Sequence, residues 1–156
     1  MGSKDCEKKL KNFLIDNNSE GEHLSFDESC HSVEEAAEVV GCSEKDFVKN
    51  ICMIDNNGRL IVAIVKGEDR ASTKAVSRAL SIERLRLASP DEILEMTGYL
   101  FGGTPSFGFD AIFLIDNKVM KEEMVYSGGG SDKSLVKISP EEILKLNNGN
   151  VVRVRK

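Results

Sequence analysis

Phe47-Val-Lys-Asn-Ile-Cys-Met-Ile54, the link Asp55-Asn56-Asn57-Gly58-Arg59, and Leu60-Ile-Val-Ala-Ile-Val65 form the stretch on which the fold turns. Two runs of branched and aliphatic residues flank a short polar link. Asn and Gly accept the positive φ that tight turns need, so the stretch predicts a β-hairpin. Successive positions of both runs are apolar, so both faces are. That predicts a hairpin central in a sheet covered on two sides. Lys49 interrupts the pattern. It shares parity with Ile51 and Met53, so its side chain is directed at a buried or half-buried face. Lysine is rarely buried without a negative partner. Lys49 is therefore either a snorkelling edge lysine or a cation kept for a ligand.

Working outward, residues 4–15 carry Leu10, Phe13 and Leu14 as a helical stripe, and residues 1–30 read as an N-terminal helix with a variable lead-in. Ser32 and Glu35 make a capping-box pattern before Ala36, Ala37, Val39 and Val40, and Gly41 ends that helix. Beyond the hairpin, a helix is predicted over 72–80 and a short strand over 84–88. Ser89-Pro90-Asp91-Glu92 starts another helix, with Ser89 as cap and Pro90 at its first position. Strands are expected over 111–115, 123–127 and 135–138. A Ser139-Pro140-Glu141-Glu142 helix start and a strand over 151–154 come next. The stretches 89–96 and 139–146 are near copies. They read as two uses of one good helix start, with a true repeat as the alternative. No linker divides the chain. The expectation is one α/β (α+β) domain over 1–156, a mixed β-sheet or partly closed barrel flanked by helices.

Composition narrows the function. The chain has 156 residues, 40% hydrophobic and 30% charged, enough for a core and inconsistent with disorder. Its formal net charge of −5 excludes a uniformly basic nucleic-acid binder. Charge is uneven: residues 1–48 hold five basic against twelve acidic side chains, residues 49–156 sixteen against fourteen. A polyanion would meet the second part. The longest aliphatic run is six residues, Leu60 to Val65, far below the roughly 18–20 that span a bilayer. With no apolar leader and no CxxC pair among Cys6, Cys30, Cys42 and Cys52, the chain reads as a soluble cytoplasmic protein with reduced thiols.

Walker A, GxGxxG, HExxH and GxSxG patterns are absent, and His23 and His31 are the only histidines. No metal and no cofactor is expected. Two glycine-rich loops remain: Gly98-Tyr-Leu-Phe-Gly102-Gly103-Thr104-Pro105-Ser106-Phe107-Gly108 and Ser127-Gly128-Gly129-Gly130-Ser131-Asp132. They are either ordinary connections or cradles whose N–H groups face an anion or a developing oxyanion. Lys66, Arg70, Lys74 and Arg78 recur every four residues. If helical they form one basic ridge, suited to a phosphate backbone or to a solvated face paired with Glu68, Asp69 and Glu83. Cys52 lacks a neighbouring base and reads as a small buried hydrophobe rather than a nucleophile.

These pieces resemble, in order, the YbaK/ProX aminoacyl-tRNA editing family. His31 with Val33-Glu-Glu-Ala-Ala-Glu-Val-Val-Gly41 is similar to its opening, and Phe47-Val-Lys49-Asn50-Ile-Cys-Met53 to its lysine-bearing strand. Leu85 to Ile93, Thr97-Gly-Tyr99 and Gly102 to Gly108 resemble its most distinctive stretch; Ser127-Gly-Gly129 and Ser139 to Leu144 resemble its close. The match spans roughly residues 31–146. It implies a fold also found as the editing insertion of bacterial prolyl-tRNA synthetases. It also implies hydrolysis of the ester of a mischarged tRNA, tRNA-Pro being a candidate. The resemblance implies that Lys49 is the functional lysine. It implies further that His31, Asn50, Gly102, Gly103, Thr104, Pro105, Gly128 and Gly129 bind substrate, and that the tRNA's own ribose hydroxyl assists the attacking water. The ridge Lys66, Arg70, Lys74 and Arg78 would then face the acceptor end. Family members usually carry Pro where this chain has Ser106, here one place after Pro105. Members acting on alanine-charged tRNA carry a His near Gly128, absent here. Partners implied are an aminoacyl-tRNA and a synthetase, with no membrane and a monomer or weak homodimer. The alternatives are a non-catalytic tRNA- or synthetase-binding module of the same fold, or a hydrolase of small esters or thioesters.

Overall fold

The structure, a computed structural model, describes residues 3–30 and 32–156. The hairpin forms as expected. β2 (Val48–Asp55) pairs antiparallel with β3 (Leu60–Lys66). In the turn only Gly58 takes a positive φ, at +79°. Asp55 replaces the second such residue: its Oδ1 accepts the N–H groups of Asn57 and Arg59, both at 2.9 Å.

The hairpin lies inside a five-stranded mixed sheet. Its order is β4 (Leu85–Leu87), β2, β3, β5 (Ile112–Ile115), β8 (Asn150–Val151), with β3 and β5 parallel. Both faces are covered. Val62 and Ile64 join a core with Leu10, Phe107 and Val136, while Ile61, Ala63 and Val65 pack with Val76 and Val154 on the other side. A second sheet, antiparallel, runs β1 (Glu22–Ser25), β7 (Ser134–Ile138), β6 (Val125–Gly128). The two sheets share a core without closing into a barrel. Five α-helices surround them: α1 (Ser3–Asp16), α2 (Val33–Val40), α3 (Thr73–Leu80), α4 (Pro90–Thr97) and α5 (Pro140–Asn147).

Sequence signals hold where they are local. Ser89 accepts from the N–H of Glu92 and the Glu92 carboxylate accepts in return; Ser139 likewise accepts from Glu142. The two similar helices follow strands of different sheets, β4 and β7. Two expectations differ. β1 was not expected, because Glu-His-Leu-Ser has no strand signal of its own and becomes a strand by pairing with β7. The strand expected over 151–154 stops at Val151. The buried Asp116 carboxylate captures the residues beyond it, accepting from the N–H groups of Val154 and Arg155 and from the Arg155 guanidinium at 2.7 Å. Burial opposes ionisation of Asp116, but these donors outweigh it and hold the carboxyl below its usual range.

Candidate active site

A cavity of about 670 Å³ opens at the N-terminal end of β2. Its walls come from α2, the start of β2, the first glycine loop and the end of β6. Lys49, Asn50, Gly102, Thr104 and Gly128 all line it. Residues 55 or more positions apart are thus brought to one place, as Lys49 and Thr104 are. Apolar side chains make up much of the rest, with Phe47 and Tyr126 stacked at 5.1 Å on one wall and Leu87 and Phe101 exposed at the rim.

Lys49 is half-buried, and its ammonium makes no ion pair or hydrogen bond among the described residues. The partner that a buried lysine needs is not supplied by the described fold. Asn50 is the opposite case. Its Nδ2 donates to the Thr104 carbonyl at 2.9 Å, and its Oδ1 accepts from Ser106 Oγ at 2.6 Å. Ser106 Oγ lies 2.9 Å from Ser127 Oγ, and the Ser106 N–H donates to that same Ser127 oxygen at 3.1 Å. Ser106 and Ser127 are both fully buried. Sequence reasoning missed this cluster. Its signal was the serine standing where a proline is usual.

The glycine loops do not face each other across the cavity; they pack together. The Gly130 N–H donates to the Gly103 carbonyl at 2.7 Å. A Cβ on Gly103 would stand 2.5 Å from the Ser131 backbone, and one on Gly128 would run into the Thr104 carbonyl. Gly103, Pro105 and Gly129 are buried behind the wall rather than lining it. Several N–H groups expected to be available are spent: Gly103 on Leu100, Gly129 on Ser134, Ser106 on Ser127. The N–H groups of Gly102 and Thr104 have no hydrogen-bond partner among the described residues. Behind the second loop, His23 Nε2 donates to the Gly129 carbonyl at 2.8 Å, and burial lowers the pKa of that imidazole. His31 lies outside the described residues.

The basic ridge is not one surface. Lys66 ends β3, so no helix carries all four side chains. Its ammonium is buried, bonded to Glu122 at 2.6 Å and Glu68 at 3.3 Å, which takes it out of any tRNA-facing patch. Arg70 is exposed in the loop after β3, and only Lys74 and Arg78 share α3, one turn apart and exposed. Cys52 lines the cavity, but burial pushes its thiol up to about 11, so a thiolate is scarce at neutral pH. Among the described residues no group of three or more His, Cys, Asp or Glu could hold a metal ion. No described helix is long and apolar enough to cross a membrane.

Comparison with known proteins agrees with this geometry. The chain is 27% identical over 128 residues to protein YwhH of Bacillus subtilis, covering 81% of each chain. It is 27% identical over 112 residues to the multifunctional Ser/Thr-tRNA deacylase ProXp-y of Escherichia coli K12, covering 68% of this chain and 66% of that one. The crystal structure of the hypothetical protein APE2540 superposes with a TM-score of 0.88 at 26% identity, covering 95% of this chain and 99% of that one. The model of the aminoacyl-tRNA editing domain matches residues 27–146, about three quarters of the sequence and all of the cavity-forming elements, so the chain belongs to the aminoacyl-tRNA editing domain family.

Proposed function

We propose that this protein is a trans-acting aminoacyl-tRNA deacylase, which hydrolyses the ester between a wrongly attached amino acid and the terminal ribose of a tRNA. The observation that carries this reading is a cavity that holds, among the described residues, an unpaired cation, Lys49, and two unspent backbone donors, Gly102 and Thr104. Such a site can bind an anionic, carbonyl-bearing ligand and stabilise charge that develops on the carbonyl oxygen. In this reading Lys49 takes the terminal phosphate or orients the ester, and the N–H groups of Gly102 and Thr104 meet the oxyanion. No protein side chain attacks: Cys52 is protonated and apolar in setting. The ribose hydroxyl next to the ester relays the proton: it accepts one from the attacking water and passes its own to the leaving ribose oxygen as the ester carbon–oxygen bond breaks. Products are the free amino acid and the intact tRNA.

Arg70, Lys74 and Arg78 remain exposed and are proposed to contact the acceptor stem without reading its sequence. By the resemblance to synthetase editing insertions, tRNA-Pro is the first tRNA to test. The test is a deacylation panel of purified tRNAs charged with Ala, Ser, Cys, Thr and Pro. Release of one or more non-proline amino acids well above the uncatalysed rate supports the reading. Binding of aminoacyl-tRNA without release would make the chain a binding module. Turnover of small esters with no preference for tRNA would make it a general esterase.

A further inference from the structure

Four polar groups around Asn50 form a hydrogen-bonded chain with one direction, and the Asn50 Nδ2 also donates weakly to Ser127 Oγ at 3.5 Å. The Thr104 carbonyl is an acceptor only, so the Asn50 atom 2.9 Å from it must be the N–H side of the amide. A flipped amide would set two carbonyl oxygens against each other. The other end, Oδ1, then needs a donor, and Ser106 Oγ–H supplies it at 2.6 Å. Having given its proton, Ser106 Oγ must accept, and its neighbour at 2.9 Å is Ser127 Oγ. Ser127 Oγ already receives the Ser106 N–H at 3.1 Å, which leaves its own proton for Ser106. The direction is therefore Ser127 to Ser106 to Asn50 to Thr104. The chain crosses from β6 through the first glycine loop to β2, so it ties the two sheets together at the cavity wall.

We infer that Ser106 and Ser127 are positioning residues that fix the orientation of the Asn50 amide, which in turn anchors Thr104 at the wall of the cavity. This rests on the proposed deacylase reading for its kinetic consequence, though not for the orientation itself. Without the Ser106 hydroxyl, Oδ1 loses its donor and the amide is held from its Nδ2 side alone, by the Thr104 carbonyl at 2.9 Å and Ser127 Oγ at 3.5 Å. The partner of the Thr104 carbonyl is then less firmly held, and the Thr104 N–H drifts from the place where a carbonyl oxygen would sit. Small misplacements of this kind can cost about 10²-fold in rate. Asn50 is thus engaged with the protein at both ends rather than with the substrate.

The experiment has two arms on the full chain. In the first, NMR follows the Asn50 side-chain N–H pair in the wild type, Ser106→Ala and Ser127→Ala. Slow solvent exchange of the bonded proton in the wild type, markedly faster in Ser106→Ala, is the expected result. An unchanged, protected pair in Ser106→Ala overturns the inference whether or not the protein is a deacylase. In the second, a kinetic double-mutant cycle joins Ser106→Ala and Asn50→Ala on the panel's best substrate. Ser106→Ala should lower kcat about 10–10²-fold with KM within about twofold, and should cost nothing further in the Asn50→Ala background. Full additivity of the two substitutions overturns the inference. So does loss of folding in both serine variants, which would make the hydroxyls props for stability. A wild type that turns over no substrate defeats the deacylase reading alone and leaves the NMR arm to decide the orientation.

Discussion

Lys49 and Lys66 stand one register step apart on paired strands. Val48 lies opposite Lys66, and Lys49 opposite Val65. Because paired residues share a face and successive residues alternate, the two lysines belong to opposite faces of the same end of one hairpin. Their surroundings differ completely. Lys66 has two carboxylates, and a second lysine, Lys118, shares Glu68 and adds Asp69. Lys49 has no partner among the described residues, although Glu34 and Glu44 help line its cavity. A fold that neutralises one lysine so fully is able to neutralise the other. On the proposed reading, the difference separates a lysine that serves the protein from one kept for a ligand.

The strongest way to break this contrast is to remove each ammonium in turn. Lys49→Ala should reduce deacylation by about 10²–10³-fold, the cost of one lost stabilising donor, and leave the melting temperature near that of the wild type. Full activity in a folded Lys49→Ala would end the distinction. Lys66→Ala should do the reverse, losing about 1–2 kcal/mol of stability in urea titration, discounted for partly exposed partners, with kcat kept. A comparable loss of kcat would show that both lysines serve catalysis.

The pH dependence sharpens the same contrast. Burial alone would lower the Lys66 pKa, but Glu122 and Glu68 outweigh it and the net shift is upward. A raised pKa in the folded state contributes stability that is complete below the unfolded value, near 10.4, and lost as pH rises through the folded value. Glu68 is shifted down, first by Lys118 and then by Lys66, so its share is present above about pH 4.3 and lost as pH falls. The stability gap between wild type and Lys66→Ala should therefore be widest between these limits and shrink beyond both. A gap independent of pH would remove the ion pairs as its cause.

Smaller effects are expected farther from the hairpin. Lys74→Ala with Arg78→Ala should weaken binding similarly for every tRNA and flatten the salt dependence by about 0.9 in log–log slope per lost phosphate contact. An unchanged slope would take α3 off the tRNA surface. Cys52→Ser should leave most activity, since its thiol is held protonated by burial. A folded but dead Cys52→Ser would move the chemistry to a covalent thiol.

Much of the fold was legible because its signals are local. The Asn-Gly turn, the two serine caps followed by proline, and the doubly apolar hairpin each act within a few residues. β1 was not legible because its strand character comes from β7, more than a hundred residues away. The site divides in the same way. Lys49 could be found because a charge broke an apolar pattern. Lys66 misled because a four-residue spacing suggests a helix face, and only the tertiary structure shows it ending a strand beside Glu122. The glycines were recognised as sites of close approach, and the closest approach at Gly103 and Gly128 is that of the other loop's backbone. Gly103→Val should consequently unfold the region instead of selectively blocking the cavity.

The first helix lies outside the segment that the family model matches but inside the folded core. The editing-domain model matches from residue 27, yet Cys6, Leu10 and Leu14 of α1 are buried in the main core and Phe13 stacks on Phe107 at 5.7 Å. Glu7 also accepts hydroxyls from Ser25 at 2.7 Å and Ser131 at 2.8 Å, and Gly130 leaves no room for a Cβ against the Cys6 carbonyl. The helix therefore works as a splint on the back of the second glycine loop. A fragment cut to the matched segment would keep the residues that line the cavity and lose the brace that sets one of its walls, so a shared motif and a self-sufficient fold are different lengths of chain.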